Sequence, residues 1–252
     1  MIATILIIVA TALTGLAGLW AVRGVTTYES RSDAAAISGL ATGVIGSING
    51  IVIAFLISTV WADYQVAARL VESEAIGTLT LHRLASALPQ DLSAPLVADI
   101  EQYVQSVLQD EWPAMMRGGE SLRTRAVFER LWARALTIQP RTPLEQAIVT
   151  ALNQELREVQ RARRERLFSS REEVPALLWW LMIAGAGMTL LGTFLVPVRD
   201  ARMHAFVTVL VAASFALALI TLYDLKQPFG GQVSIDGSRF AEALQLMQSE
   251  GK

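Results

Sequence analysis

The 252-residue chain has no cysteine, which excludes disulfides, thiolate nucleophiles and thiolate metal sites and gives no support to an oxidising compartment. Histidine is nearly absent too. His82 and His204 are the only two, and neither sits in an HExxH or similar pattern. Glu72, Glu74 and His82 fall in one helical stretch, but positions i, i+2 and i+10 do not share a helix face, so no metal site is expected from them. No Walker loop, Rossmann glycine pattern or GxSxG motif occurs. The expectation is a protein that is not an enzyme, with no cofactor, no catalytic residue and no metal ligand.

Charge is missing from four long runs: Ile2 to Val22, Ala34 to Ala62, Val174 to Val198 and Met203 to Tyr223. A helix rising about 1.5 Å per residue crosses the hydrocarbon core of a bilayer in roughly 20 residues, and each run is long enough. The mean hydropathy of +0.42 agrees, while a charged fraction of 17% shows that part of the chain lives in water. That charge is concentrated between Asp63 and Glu173. The expected fold is therefore all-α and polytopic. Residues 1–62 hold transmembrane helices one and two, residues 63–173 a helical insert, residues 174–223 helices three and four, and residues 224–252 a tail. The first run reads as a retained span rather than a secretory signal: it is long, lacks a basic start and ends at Trp20 and Arg23 without a small-residue cleavage site.

With four spans, the termini and the insert share one side of the membrane. Near the membrane ends that side carries Arg69, Arg83, Arg161, Arg163, Arg164, Arg166, Arg171, Lys226 and Arg239, against four arginines opposite. The positive-inside rule places the insert and both termini in the cytoplasm.

Within the insert, apolar residues recur at spacings of three and four, which predicts helices. The second span continues from Asp63 to Ala87 and stops at Pro89. A helix capped by Ser93, with Pro95 close behind, runs to about Trp112, where Pro113 intervenes. Gly118 and Gly119 mark a loop. A third helix covers Leu122 to Ile138, and a fourth opens at Thr142-Pro143-Leu144-Glu145, a cap, a first-turn proline and a capping-box carboxylate, and continues to the membrane. Its arginine-rich end is open to two interpretations: a solvated face paired with Glu155, Glu158 and Glu165, or a basic collar near headgroups or an ion entry.

The second span is unusual in carrying Thr42, Gly43, Gly46, Ser47, Asn49 and Gly50 where a lipid-facing helix carries Leu and Ile. Gly43, Gly46, Asn49 and Gly50 suit close helix packing. Asn49 either bonds to a neighbouring helix or marks a water-filled path. Ser47, Ile51 and Phe55, four apart, form one stripe, which serves either a packed core or a pore.

Five segments carry a family resemblance. Gly50 to Val71, GIVIAFLISTVWADYQVAARLV, resembles the second helix of bestrophin-type channels. Pro228-Phe229-Gly230, directly after the fourth span, resembles the segment that follows the last membrane helix of bestrophins. The Trp61-Ala62-Asp63-Tyr64 junction, the Glu111-Trp112-Pro113-Ala114-Met115 turn and a short helix near Phe240 to Leu246 are similar to features of the bacterial bestrophin-like membrane proteins over nearly the whole chain.

The resemblance implies an oligomeric ion channel, a pentamer, whose second helices surround a pore with a hydrophobic neck at Ser47, Ile51 and Phe55. Ser47 departs from the apolar pattern and would shorten the dry zone. The partners it implies are membrane lipid, permeant inorganic ions and further copies of the chain, with no nucleic acid, in a bacterial inner membrane. Asp63, Glu72, Glu74, Arg161 and Arg164 are candidate vestibule charges. Gly231 to Asp236 holds one carboxylate where animal bestrophins have an acidic cluster, so no calcium site is expected. Tyr103, Trp112 and Trp132 are expected as packing or interface anchors. Alternatives to a channel are a non-conducting scaffold or sensor and an ion-coupled transporter, although the halves show none of the repeats expected of the latter.

Overall fold

The computed structural model describes residues 2–171 and 174–250, with side chains from Thr4 onward. Every regular element among them is helical: α1 (Ile2–Val25), α2 (Tyr28–Asp33), α3 (Ala35–Ser86), α4 (Gln90–Ser106), α5 (Trp112–Met115), α6 (Leu122–Leu136), α7 (Pro143–Ser169), α8 (Ala176–Leu195), α9 (Ala201–Leu225) and α10 (Ser238–Glu250). Four of them, α1, α3, α8 and α9, are long and apolar enough to cross a membrane. Each overlaps one of the four uncharged runs, and α3 continues past its run to Ser86.

Two compact units result, Met1–Trp61 with Glu173–Lys226, and Ala62–Glu172 with Gln227–Lys252. The tail thus belongs to the same unit as the insert. The insert boundary expected at Glu173 lies outside the described residues, as do the last two residues of the tail.

In the membrane unit, small residues set the helix contacts. A Cβ on Gly15 would rest 3.4 Å from the Ala212 Cβ, and one on Gly18 would come within 2.8 Å of the Phe194 ring. Along α8, Gly185, Thr189 and Gly192 meet Asn49, Gly46 and Thr42 of α3 in that order. The two sequences run in opposite directions, an antiparallel crossing in which each glycine receives a partner's side chain.

The insert unit is built around buried Leu81, Leu96, Ile100, Tyr103, Phe128, Leu131, Leu152 and Leu156, closed by Phe229, Phe240 and Met247 from the tail. Both ends of the second insert helix differ from the sequence expectation. Ser93 is not a cap: α4 starts three residues earlier, where the amides of Leu92 and Ser93 both donate to the Pro89 carbonyl, each at 2.9 Å. Pro89 needs no donor of its own there, and Pro95 falls inside the helix at the cost of one bond to the Asp91 carbonyl. Nor does Pro113 stop the chain. Residues Val107–Glu111 widen into a π turn, with the Trp112 amide donating to Val107, and this makes room for the proline ring. The helical course ends at Gly118, whose φ of +70° suits glycine.

The start of α7 behaves as expected at Thr142, whose hydroxyl accepts from the Glu145 amide at 3.1 Å. The Glu145 carboxylate reaches one residue further back than a capping box does, to the Arg141 amide at 2.7 Å. The helix ends at Ser169, and α8 begins afresh after Pro175. Proline disfavours helical backbone in the residue before it, so Val174 does not extend α8 backwards.

Candidate functional site

Along its membrane stretch α3 has two unlike faces. Asn49, Ile53, Leu56 and Val60 are buried. Ile51 is 70% and Phe55 69% exposed, and Ser47 is exposed as well. Neighbours two apart on a helix point about 200° away from each other, so Ile51 lies opposite the Asn49 and Ile53 edge that the chain itself covers. Gly39, Leu40, Gly43, Val44, Ser47, Ile48 and Ile51 line a shallow groove of about 450 Å³ on the open side.

The small residues of this helix therefore divide into two sets. Gly46 and Asn49 face α8, while Cβ atoms on Gly39, Gly43 and Gly50 would meet nothing within 4 Å. The packing role expected of Gly43 and Gly50 is not exercised inside the single chain. Asn49 is 5% exposed and its amide nitrogen has no partner among the described residues.

The insert unit holds a second constellation, and here the vestibule expectation needs correcting. Glu74 is fully buried, not a vestibule charge, because the stripe Val71, Glu74, Ala75, Thr78 and Leu81 is the inward face of α3. Arg166 of α7 donates to it from Nε at 2.7 Å and from Nη2 at 2.9 Å. The same Nη2 reaches Glu111 at 2.9 Å, and Arg163 donates to Glu111 from Nε at 3.2 Å. The Tyr103 hydroxyl donates to Glu74 Oε1 at 2.6 Å. Two carboxylates and two guanidiniums balance, which is the condition under which charge survives burial. Asp63, Glu72, Arg161 and Arg164 are exposed, with Arg161 held by Glu165 on its own helix at 3.0 Å.

This cluster unites three of the segments that carried the family resemblance, the Glu111 turn, the Pro228-Phe229 segment and the helix at Phe240. Glu111, Trp112 and Met115 of the turn surround Arg166, whose guanidinium carbon lies 5.7 Å from the Trp112 ring and 5.6 Å from that of Phe240. Phe229 meets Trp112 edge-on at 5.7 Å and 90°. Pro228 is buried beside it and accepts from the Ile235 amide at 2.7 Å, which folds the tail back on itself at Gly230. Both expectations for the arginine-rich end of α7 missed this. The signal was phase: Leu152, Leu156 and Val159 continue at steps of four and three onto Arg163 and Arg166.

Burial raises the Tyr103 hydroxyl well above its ordinary range, and the Glu74 and Glu111 charges push it further the same way. For Arg166, burial acts downward but is outweighed, first by Glu74 and then by Glu111, so the guanidinium stays charged. Folded Tyr103 keeps its proton where an unfolded tyrosine, with a pKa of about 10, has lost it. Its contribution is full below about pH 10 and falls as pH rises beyond. Tyr103→Phe is expected to flatten that alkaline loss in melts between about pH 9 and 11, and to cost about 1.5–3 kcal/mol at neutral pH for the missing bond to a charged acceptor. An unchanged alkaline slope in the variant would show that Tyr103 does not carry it. Among the described residues no group of three or more His, Asp or Glu could hold a metal ion.

A family model described as a bestrophin-like domain matches residues 9–240. Solved structures of a bacterial bestrophin homolog from Klebsiella pneumoniae share the fold. One single-substitution variant superposes with a TM-score of 0.74 at 14% identity, covering 98% of this chain and 99% of that one. A second variant gives 0.73 at 13% identity, covering 97% and 98%. The structure obtained by Zn-SAD phasing gives 0.69 at 14% identity, covering 97% of each chain. No curated protein matches the chain.

Proposed function

The chain belongs to the bestrophin-like family, and on that premise we propose that it forms an oligomeric ion channel, a pentamer, with α3 lining the pore. The observation that carries this is the open face of α3. Ser47, Ile51 and Phe55 stand on the side that the chain leaves uncovered, beside Gly39 and Gly43, whose missing side chains suit the close approach of a second helix. Opposite them, Asn49 and Ile53 are already committed to the chain's own core. Lipid gains nothing from glycine and serine at such a surface, whereas copies of one helix around an axis use both. Five Ile51 and five Phe55 side chains would form two apolar rings, a constriction that gates by dewetting. The Ser47 ring would be wettable.

Such a neck confers no preference for the sign of the ion. The insert and both termini face the cytoplasm of a bacterial plasma membrane in this proposal, by the arginine asymmetry of the loops. The partners are bilayer lipid, permeating inorganic ions and further copies of the chain.

The test is the mass of the purified protein in a neutral detergent, with salt flux from loaded liposomes measured on the same preparation. A species five times the 27.4 kDa chain is expected, and a monomer or dimer would remove the pore. Gly43→Leu sharpens the test. Nothing lies within 4 Å of that Cβ inside the chain, so the chain's own fold is expected to tolerate leucine while close contact between copies does not. The variant is expected to run as smaller species with its insert unit melting as in the parent. An intact pentamer would show that Gly43 lies off the contact between copies.

A further inference from the structure

Three large apolar side chains of the insert unit, Met116, Leu122 and Phe168, are each more than half exposed. Short contacts hold their backbones together. Glu120 accepts from Arg171, three residues past Phe168, at 3.3 Å, and pairs with Arg125 on the first turn of α6, the helix that Leu122 opens. The Arg171 amide donates to the Phe168 carbonyl at 2.9 Å. Met116 belongs to the same loop, whose backbone is closed on itself by the Arg117 and Gly119 amides, donating to the Ala114 carbonyl at 3.0 and 2.9 Å. Met116 and Arg117 both stand exposed on that turn.

The chain limits how far this edge can lie from the bilayer. A Cβ on Gly230 would meet the Met116 carbonyl at 3.3 Å. The Gly230 amide donates to the Gln227 carbonyl at 3.1 Å, a tight turn that keeps the two Cα atoms within about 7 Å, and Gln227 follows directly on Lys226, the C-cap of α9. On the other side, Arg171 precedes the first residue of α8, Ala176, by five positions, about 18 Å at full stretch. Both α8 and α9 are membrane spans. The headgroup layer adds about 5–7 Å beyond the hydrocarbon, which brings it within reach of side chains on this edge.

Charge favours lipid as the neighbour. Arg117, Arg123, Arg125 and Arg171 stand against Asp110 and Glu120, and Arg117 has no carboxylate partner among the described residues. Exposed apolar side chains beside surplus arginine are what an interfacial surface for anionic lipid requires.

We propose that Met116, Leu122 and Phe168, with Arg117 and Arg171, form a contact surface for anionic lipid of the bilayer. The apolar side chains enter the boundary between headgroups and acyl chains, and the guanidiniums bind lipid phosphate oxygens. Arginine suits the place because its stem lies along apolar surface while its fork stays at the headgroups. The surface rests on the membrane helices alone and stands whether or not the protein conducts.

The chain has no cysteine, so Met116→Cys gives a single site for a nitroxide spin label in the full-length protein. The label's accessibility to oxygen, which concentrates in lipid, and to a water-soluble nickel chelate is measured in phosphatidylcholine nanodiscs with and without phosphatidylglycerol. The oxygen-to-nickel ratio is expected to exceed, by at least about threefold, that of a label at Leu136→Cys, a similarly exposed site about 21 Å along α6 from Leu122. Phosphatidylglycerol is expected to raise the ratio further. Arg117→Gln combined with Arg171→Gln is expected to abolish that further rise, while Arg157→Gln, at an exposed position about 18 Å before the end of α7, retains it. A label at Met116 as open to nickel as the one at Leu136, a label closed to both reagents because a second copy covers it, no further rise with phosphatidylglycerol, or a rise that survives the paired arginine variant would each overturn the proposal.

Discussion

Replacing Arg166 with Met is expected to lower the stability of the insert unit by about 3–5 kcal/mol, the cost of leaving a buried carboxylate without its partner. Arg166 is fully buried and bonded to Glu74 and Glu111 together. Its removal leaves Glu74 with only the Tyr103 hydroxyl and Glu111 with only Arg163. At roughly 2–4 °C per kcal/mol for a chain of this size, the melting temperature should fall by about 10 °C. Arg164→Met, two positions away and exposed, removes the same charge and is expected to stay within about 0.5 kcal/mol. The double variant Glu74→Met with Arg166→Met removes the pair as a unit and should recover part of the loss, because an apolar pair need not be desolvated at the same cost as an ion pair. The measurement is thermal or urea unfolding of the three variants in one detergent. Equal melts for the Arg166 and Arg164 variants would show that the network contributes nothing to stability.

That Arg166 needed the structure to be placed at all marks a division in what the sequence conveys. The four membrane helices are legible because bilayer thickness is an external ruler, and a run of some 20 uncharged residues has few other uses. The glycine turn at Gly118 and the cap at Thr142 are legible because each depends only on neighbours in the chain. The start of α4 is not, since Pro89 and Ser93 offer competing signals four residues apart, and the π turn before Pro113 is settled by Glu111 finding Arg163 and Arg166 across more than fifty residues. Arginine and glutamate are usually surface residues, and composition alone assigns them there. Their helical phase with Leu156 and Val159 says the opposite and is the better guide.

The same division runs through α3. Spacing places Ser47, Ile51 and Phe55 on one stripe and marks Gly43, Gly46, Asn49 and Gly50 as contact residues. Which of the two faces the chain buries depends on α8, where Gly185 and Gly192 receive Asn49 and Thr42. Once that face is committed, Gly43 and Gly50 are free for a partner from outside the chain.

Phe55→Ala is accordingly expected to raise ion flux from loaded liposomes by at least about tenfold, which corresponds to lowering the conduction barrier by about 1.4 kcal/mol. Phe55 is 69% exposed and supplies the bulkiest side chain of the stripe. A ring of phenylalanines excludes water when the opening is narrow and wholly apolar, and alanine both widens it and removes most of its dry surface. Ser47→Leu works in the opposite sense. It would restore a third apolar ring, lengthen the dry zone and lower the flux below that of the parent. Leu177→Ala removes a comparably exposed side chain from α8, which lies outside the proposed stripe, and is expected to leave flux unchanged. Since none of the three positions is buried in the chain, a change in flux with unchanged melting separates pore geometry from folding. Were Phe55→Ala and the parent to pass salt at the same rate from equally assembled protein, α3 would not line the path, and an assembly without conduction would be the better account of the exposed stripe.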